Sequence, residues 1–379
     1  MKKSLLVSLS FGLLLTLTAC SDDDNSPAKA AEENSSSSAQ VVAIDYSAGR
    51  AMNKRLGKGI NLGNSWDSEG KGAKGDCGWG NCINDNDFKV VKEAGFNSIR
   101  LPVRWHIDSD YETHKVNPER LAGVKEDIQL AMDQGLKVIV NFHHYTTLND
   151  KGSKADTDYA SFEAEKDHFV ALWDQLSKEL NSYPDSMLVL EILNEPTISN
   201  IKYVNELTLA AYEVIRKNAP KKTIMIESYH AGKFQDLEVL TLPQDGNIIF
   251  SGHYYEPFNY THQGHGQDCV GDKAYGTPIT GDMKKYVALA QRLYPDVNGG
   301  HVPMNMGEFG VSGRTNYTCK SLAPSDSKRA IWAKKAIEAA EKYDLSWHYW
   351  GFTKVGGFEA YDRANSTWYP GFLEAFFAE

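Results

Sequence analysis

The sequence predicts a single α/β domain folded as a (β/α)8 TIM barrel. Three observations carry that expectation. Eight short runs of apolar and β-branched residues recur along residues 41–379, amphipathic stretches with helical spacing lie between them, and the polar residues suited to chemistry fall at the C-terminal ends of the runs, where such barrels build their sites.

In chain order the strands are residues 59–65 (GINLGNS), 98–103 (SIRLPV), 138–143 (VIVNFH), 188–195 (LVLEILNE), 224–228 (IMIES), 248–255 (IIFSGHYY), 302–310 (VPMNMGEFG) and 346–352 (SWHYWGF). Helical patterns fill the gaps at 85–94, 118–134, 162–180, 202–218, 283–294 and 326–342, with a shorter one near Asp236 and a last one at 372–376. A doubly wound sheet is the rival, but no GxGxxG or GxxxxGK follows the first strand. The loops 65–84 and 256–279, rich in Gly and polar residues, are expected to wall a cleft. No internal repeat and no second domain is evident.

Composition narrows the function. With 41% hydrophobic and 24% charged residues the chain can bury a large core. A net charge of -10 without a basic cluster argues against nucleic acid as a partner. The substrate is expected to be uncharged, and eight Trp with nineteen Tyr suit a surface that stacks on sugar rings, although most aromatics serve the core.

Residues 1–19 read as a lipoprotein signal peptide: Lys2 and Lys3 precede an apolar stretch from Leu5 to Leu17 that is too short to span a bilayer. Leu17-Thr18-Ala19-Cys20 looks like a bacterial lipobox with Cys20 acylated, and an ordinary secretory signal fits less well because Cys20 follows Ala19 directly. Residues 20–40 are then an acidic, Ser-rich flexible tether, and 41–379 the catalytic domain. The expected address is the bacterial outer membrane, on the periplasmic or outer face, held through the lipid only, with the protein a monomer. Cys77, Cys82, Cys269 and Cys319 remain, an even number for an oxidising compartment. Three pairings are open, of which Cys77–Cys82 with Cys269–Cys319 is favoured. A zinc site is the alternative, disfavoured because the C-x4-C spacing lacks a second close pair.

The stretch from Leu188 to Pro196 ends an apolar run in Asn194 and Glu195 before Pro196 stops the ladder. By strand alternation Glu195 shares a face with Glu191 and Asn194 points the other way. Val302 to Gly310 likewise delivers Glu308. Arg100, His143, His253, Tyr255 and Trp350 each stand at the end of an apolar run. A single strand-end Glu is more often a solvated charge or salt-bridge partner, whereas this convergence points to paired-carboxylate chemistry such as acetal cleavage.

The segments LNEP, GEFG, SIRLPV, NFHHY and HYYEPF resemble the signatures of glycoside hydrolase family 5, retaining endo-β-glycanases, over residues 59–352. The resemblance implies Glu195 as acid/base, Glu308 as nucleophile, Asn194 as the contact to the sugar 2-hydroxyl, Arg100 as the cation that keeps Glu308 ionised, His143 and His253 as site histidines, and Trp350 as the stacking platform. Tyr255 can donate to Glu308. An acid that acts first needs a raised pKa, so the raised value is expected at Glu195. Glu191 is expected to be a buried structural partner, and Glu227 and Glu256 match no catalytic position.

Adjacent residues on a strand face opposite sides, so His143 and His144 are not expected to share one ion. No catalytic metal and no cofactor are expected. The implied activity is a retaining endo-β-1,4-glucanase acting on a β-1,4-linked polysaccharide. A retaining β-mannanase or xyloglucanase is the alternative, and a non-catalytic surface glycan-binding lipoprotein a third reading, disfavoured by the intact carboxylate pair.

Overall fold

The computed structural model describes residues 41–70, 74–149, 151–262, 279–313 and 323–377. Eight parallel strands close into a barrel in chain order: β1 Lys58–Asn61, β2 Ser98–Val103, β3 Lys137–Phe142, β4 Leu188–Glu191, β5 Thr223–Glu227, β6 Ile248–Tyr254, β7 Met304–Phe309 and β8 Ser346–Tyr349. Closure is made by β8 against β1, with Gly59 opposite His348. Around the strands run α1 Ser47–Leu56, α2 Asp85–Ala94, α3 Pro118–Asp133, α4 Tyr159–Leu180, α5 Ile201–Asn218, α6 Ile279–Leu293, α7 Asp326–Glu341 and α8 Phe372–Phe377.

Local chemistry explains where the helices begin. Asn84 and Asp87 form a reciprocal capping box at the start of α2. At α3, Asn117 accepts from the backbone of Glu119 and Arg120 while Pro118 takes the first helical position, where its missing N–H costs nothing. The segment near Asp236 is a short 3-10 turn, Phe234–Glu238.

All eight expected strands are present, but several stop early. The run 59–65 leaves the ladder after Asn61, 188–195 after Glu191 and 346–352 after Tyr349. The apolar sequence continues past the last backbone pairing, so hydrophobicity overstates strand length at the rim.

Helix α1 was not anticipated in the sequence. It plugs the floor of the barrel: Met52 and Leu56 pack with Ile139, Val189, Met225 and Ile249 from β3 to β6 in a cluster separate from the main core. Above this apolar floor the interior turns polar, with Asn61, Arg100, Asn141, Glu191, Glu227, Ser251, Asn305 and His348 all buried. The main core lies between strands and helices and includes Phe88, Val91, Ile128, Leu172, Trp173, Ala211, Trp332 and Trp347.

Cys77 and Cys82 form a disulfide in the loop after β1; Cys269 and Cys319 lie outside the described residues. That loop is anchored from beneath, where Trp66 donates to the buried Asp127 at 2.7 Å and Arg120 donates to the carbonyls of Trp66 and Gly70 at 2.9 and 2.8 Å. Among the described residues no helix is long and apolar enough to cross a membrane.

Candidate active site

Arg100, at the centre of β2 and fully buried, organises the upper interior. Its Nε and Nη2 donate to the two oxygens of Glu191 at 2.8 and 2.6 Å. Nη1 donates to Asn61 Oδ1 at 3.1 Å and Glu308 Oε1 at 2.7 Å, and Nη2 reaches Asn194 Oδ1 at 2.7 Å and Glu227 Oε2 at 3.3 Å. The guanidinium fork thus ties four strand ends together. Glu191, held by this bidentate pair against the cost of burial, sits at about 2, which fits the structural role expected for it.

Glu308 reaches this cluster through an irregularity. Along β7, Asn305 turns inward to Ser251, Ser346 and His348, so simple alternation would turn Glu308 outward. The β6–β7 register shifts between Gly252 and His253, skipping Gly307 and pairing His253 with Glu308. One extra residue reverses the facing of everything beyond it. Glu308 then meets Arg100 on one oxygen and the Tyr255 hydroxyl, which donates at 3.0 Å, on the other.

Glu195 arrives by a different irregularity. It lies four residues past the end of β4, in the left-handed region at φ 45°, and its N–H donates to Glu227 Oε1 at 2.8 Å. Its Oε1 lies 2.8 Å from His253 Nδ1. The expected alternation fails here: Asn194 and Glu195 both enter the site, because regular pleating has already ended. One oxygen of each carboxylate, Glu195 and Glu308, and a nitrogen of His253 all lie within 4.8 Å of one another.

Trp350 and His143 form the opposite wall, with parallel rings 5.7 Å apart. A Cβ on Gly63 would come within 2.5 Å of the Trp350 ring, so the close approach requires glycine there. His144 adopts φ 50° beyond the end of β3 and turns back, bringing its ring to 4.3 Å from that of His143. The expectation that the two face apart is therefore corrected, and with Asp67 they offer three ligating atoms within 4.8 Å. The hydrogen bonding speaks against an ion. Asn141 Nδ2 donates to His143 Nδ1 at 3.3 Å and to Glu191 at 3.2 Å, which leaves the His143 proton on Nε2 and neither nitrogen bare.

The electrostatics also differ from expectation. Burial pushes Glu308 up, with the charge of Glu195 adding to it, against the pull of His253 and Arg100. At Glu195 the effect of burial is outweighed by the hydrogen bond and charge of His253, with His144 and Arg100 behind, and its carboxyl sits below the usual range. The raised carboxyl of the pair is Glu308, because His253 rests against Glu195. Burial disfavours the charged form of His253, but Glu227, Glu308 and Glu195 outweigh that and hold its imidazolium well above the usual histidine range. Burial and the neighbouring His144 keep His143 neutral.

Every site residue expected from the sequence, Arg100, His143, Asn194, Glu195, His253, Tyr255, Glu308 and Trp350, lies in or along this one cleft. Glu256 is exposed on the wall of the cavity that Glu195, His253 and Tyr255 line. The sequence reading missed Asn61, whose amide bridges Gly307, His348 and Tyr349 while its oxygen receives Arg100, and it set Glu227 aside. Each is the last residue of its strand, a position that could have flagged both.

Residues 61–355 match the model of the cellulase family, glycosyl hydrolase family 5. Endoglucanase 1 of Ruminococcus albus is 28% identical over 348 residues, covering 85% of this chain and 79% of that protein. Endoglucanase Cel5A from the hyperthermophilic Thermotoga maritima superposes with a TM-score of 0.72 at 32% identity, over 88% of this chain and all of that one. A broad-specificity endoglucanase from Clostridium longisporum superposes at 0.71 with 25% identity, over 87% and 97%. With a barrel of this topology, a paired-carboxylate cleft at its C-terminal rim and a family match spanning most of the chain, the protein is a glycoside hydrolase that belongs to the cellulase family, glycosyl hydrolase family 5.

Proposed function

We propose that the chain is an endo-β-1,4-glucanase that cleaves internal glucosidic bonds of β-glucans with retention of configuration. The observation that carries this reading is the closeness of Glu195 and Glu308 around His253, with oxygens within 4.8 Å. Retaining enzymes hold their carboxyl groups about 5–5.5 Å apart, whereas inverting ones need about 6.5–9.5 Å to admit a water. Such short spacing supports direct attack by one carboxylate.

Glu308 is the nucleophile, aimed by Arg100 and Tyr255 at the anomeric carbon. Glu195 is the acid, and its proton is at hand on His253 Nδ1 at 2.8 Å. Transfer to Glu195 Oε1 leaves a neutral imidazole, the leaving oxygen takes the proton, and Glu195 then deprotonates the water that releases the sugar from Glu308. Asn194 gives its oxygen to Arg100 and keeps its amide N–H groups for the sugar 2-hydroxyl. Trp350, backed by His143, stacks on the ring.

A second reading, a β-mannanase, has one specific support: the Thermotoga maritima Cel5A structures include a complex with mannotriose, at 31% identity to this chain. The test of both is reducing-end release by residues 41–379 from barley β-glucan, carboxymethyl cellulose, xyloglucan and mannan, with the anomer of the first product read by NMR. Glucan cleavage giving the β-anomer first, abolished in Glu308→Ala and Glu195→Gln, is expected; α-anomer first would overturn retention, and mannan alone would select the second reading.

The proposal extends to a monomer tethered to the outer membrane by acylated Cys20. Palmitate labelling lost in Cys20→Ala, and a single mass by light scattering, are the expected results.

A further inference from the structure

Glu227 ends β5 directly behind the acid, and it grips that residue from two sides. Its Oε1 accepts the N–H of Glu195 at 2.8 Å. Its Oε2 faces His253 Nε2 at 3.3 Å, and the other nitrogen of that ring holds Glu195 Oε1 at 2.8 Å. His253 Nε2 is buried and makes no hydrogen bond of good geometry, and Glu227 Oε2 at 3.3 Å is the charge placed beside it. The pocket around the two is tight: at Gly232, φ 73°, a Cβ would fall 2.8 Å from His253 Cγ and 2.9 Å from Glu227 Oε1. Glycine at this position is what lets the two side chains lie together there.

We propose that Glu227 is the positioning residue of the acid/base, fixing the backbone of Glu195 directly and its carboxyl through His253. The inference rests on the reading of Glu195 as acid. Holding Glu195 at a left-handed φ costs free energy that contacts to its backbone must offset, this one to its N–H and that of the Asn149 amide to its carbonyl at 3.0 Å. Once ionised on the alkaline side, a carboxylate buried behind the imidazole also keeps a proton on the Glu195–His253 pair, since a neighbouring negative charge raises the proton affinity of the unit as a whole.

The groups facing Glu227 are Arg100 from β2, Glu191 from β4, Glu195 beyond it and His253 from β6, with Glu308 of β7 on the far side of the imidazole. Arg100 is already committed to Glu191 and Glu308. Burial and the charge of Glu191 raise Glu227, while His253 and Arg100 draw it down, leaving it at about 8. Its negative charge is therefore acquired as pH rises through that value, and a variant that lacks the charge should let the pair release its working proton at lower pH on the alkaline side.

The experiment uses Glu227→Gln and Glu227→Asp in the soluble domain, with folding checked by circular dichroism and thermal melting. Gln keeps the length and an acceptor for the Glu195 N–H but carries no charge. Expected for Gln is a fall in kcat/KM on β-glucan on the order of ten-fold or more, with the alkaline limb of the pH profile moved to lower pH by about one unit. On 2,4-dinitrophenyl β-cellobioside, whose leaving group needs no proton, the glycosylation rate should fall less than about three-fold. Asp keeps the charge but is one methylene short of its partners, so the alkaline limb stays near that of the parent while kcat drops.

Equal losses on both substrates with a superimposable pH profile would reduce Glu227 to a structural residue, and unchanged kinetics in both variants would remove any role. If instead Glu195→Gln leaves β-glucan hydrolysis intact, it is the acid assignment that fails, and that outcome is separate from the first two.

Discussion

The floor and the rim of this barrel are built on the same strands and obey opposite rules. At the floor, Ile139, Val189, Met225 and Ile249 close over Met52 and Leu56 of α1 and bury no charge. One or two steps further along the same strands, Asn141, Glu191, Glu227 and Ser251 face inward, with Arg100 and His253 among them. The floor is a packing problem, solved by shape and apolar area. The rim concentrates four carboxylates around two cations in a dry space, an arrangement that is costly to fold and useful only for chemistry. Stability and activity should therefore separate along the barrel axis.

The largest effect expected from breaking this contrast is at the rim. Glu308→Ala should lower kcat on β-glucan by on the order of 10⁴-fold or more, measured by reducing-end release. Its melting temperature should stay within a few degrees of the parent or rise, because a buried carboxylate of raised pKa is removed. A large drop in melting temperature would mean that Glu308 itself contributes to stability.

Arg100→Ala should fail in both respects. It strips the counter-charge from Glu191, Glu227 and Glu308 at once, and removing one partner of a buried pair costs about 3–5 kcal/mol. Urea unfolding reads the loss. A stability equal to the parent would show that the carboxylates simply take up protons and need no arginine.

At the floor, Leu56→Ala should cost about 2–5 kcal/mol through the cavity it leaves. Its pH–rate profile should match the parent below the melting transition. A shifted profile would contradict the separation, since no titratable group belongs to that cluster.

The smallest effect at any one pH step is a slope. Glu227, raised to about 8 in the folded chain, holds its proton there when the unfolded chain, titrating near 4.5, has released it. Between those values the folded state binds more protons, so stability falls as pH rises through that window, by about 1.4 kcal/mol per pH unit for one proton. Glu191 has the opposite sign: its folded pKa of about 2 contributes stability above 4.5 that is lost as pH falls toward 2. Glu227→Gln should flatten the decline between pH 5 and 8 in urea unfolding, and an unchanged slope would place the raised proton elsewhere.

The two carboxylates of the site were legible in the sequence for reasons that the structure makes incomplete. Glu195 and Glu308 were found because each ends an apolar run, which is true of both. The parity argument that came with Glu195 fails for its neighbour, since a left-handed residue past the end of β4 brings Glu195 in beside Asn194, and at Glu308 it is a register shift at Gly252/His253 that turns the side chain inward. His143 and His144 err the same way, since His144 also lies beyond its strand at positive φ. Alternation is a property of regularly paired backbone, and at the rim the pairing has either slipped, as at Glu308, or stopped.

What the sequence by itself determined is the sum of local patterns: eight β runs, the helices between them, their order, and the polar residue with which each run ends. Hydrophobic period and chain order suffice for that, because they depend on neighbours along the chain. Tertiary structure alone decided that α1 seals the floor, that Asn61 and Glu227 join the site, and that the raised carboxyl is Glu308 instead of Glu195. Each of those depends on groups brought together from strands far apart in sequence, where burial and mutual charge set which proton stays and where a one-residue shift in pairing sets which way a side chain faces.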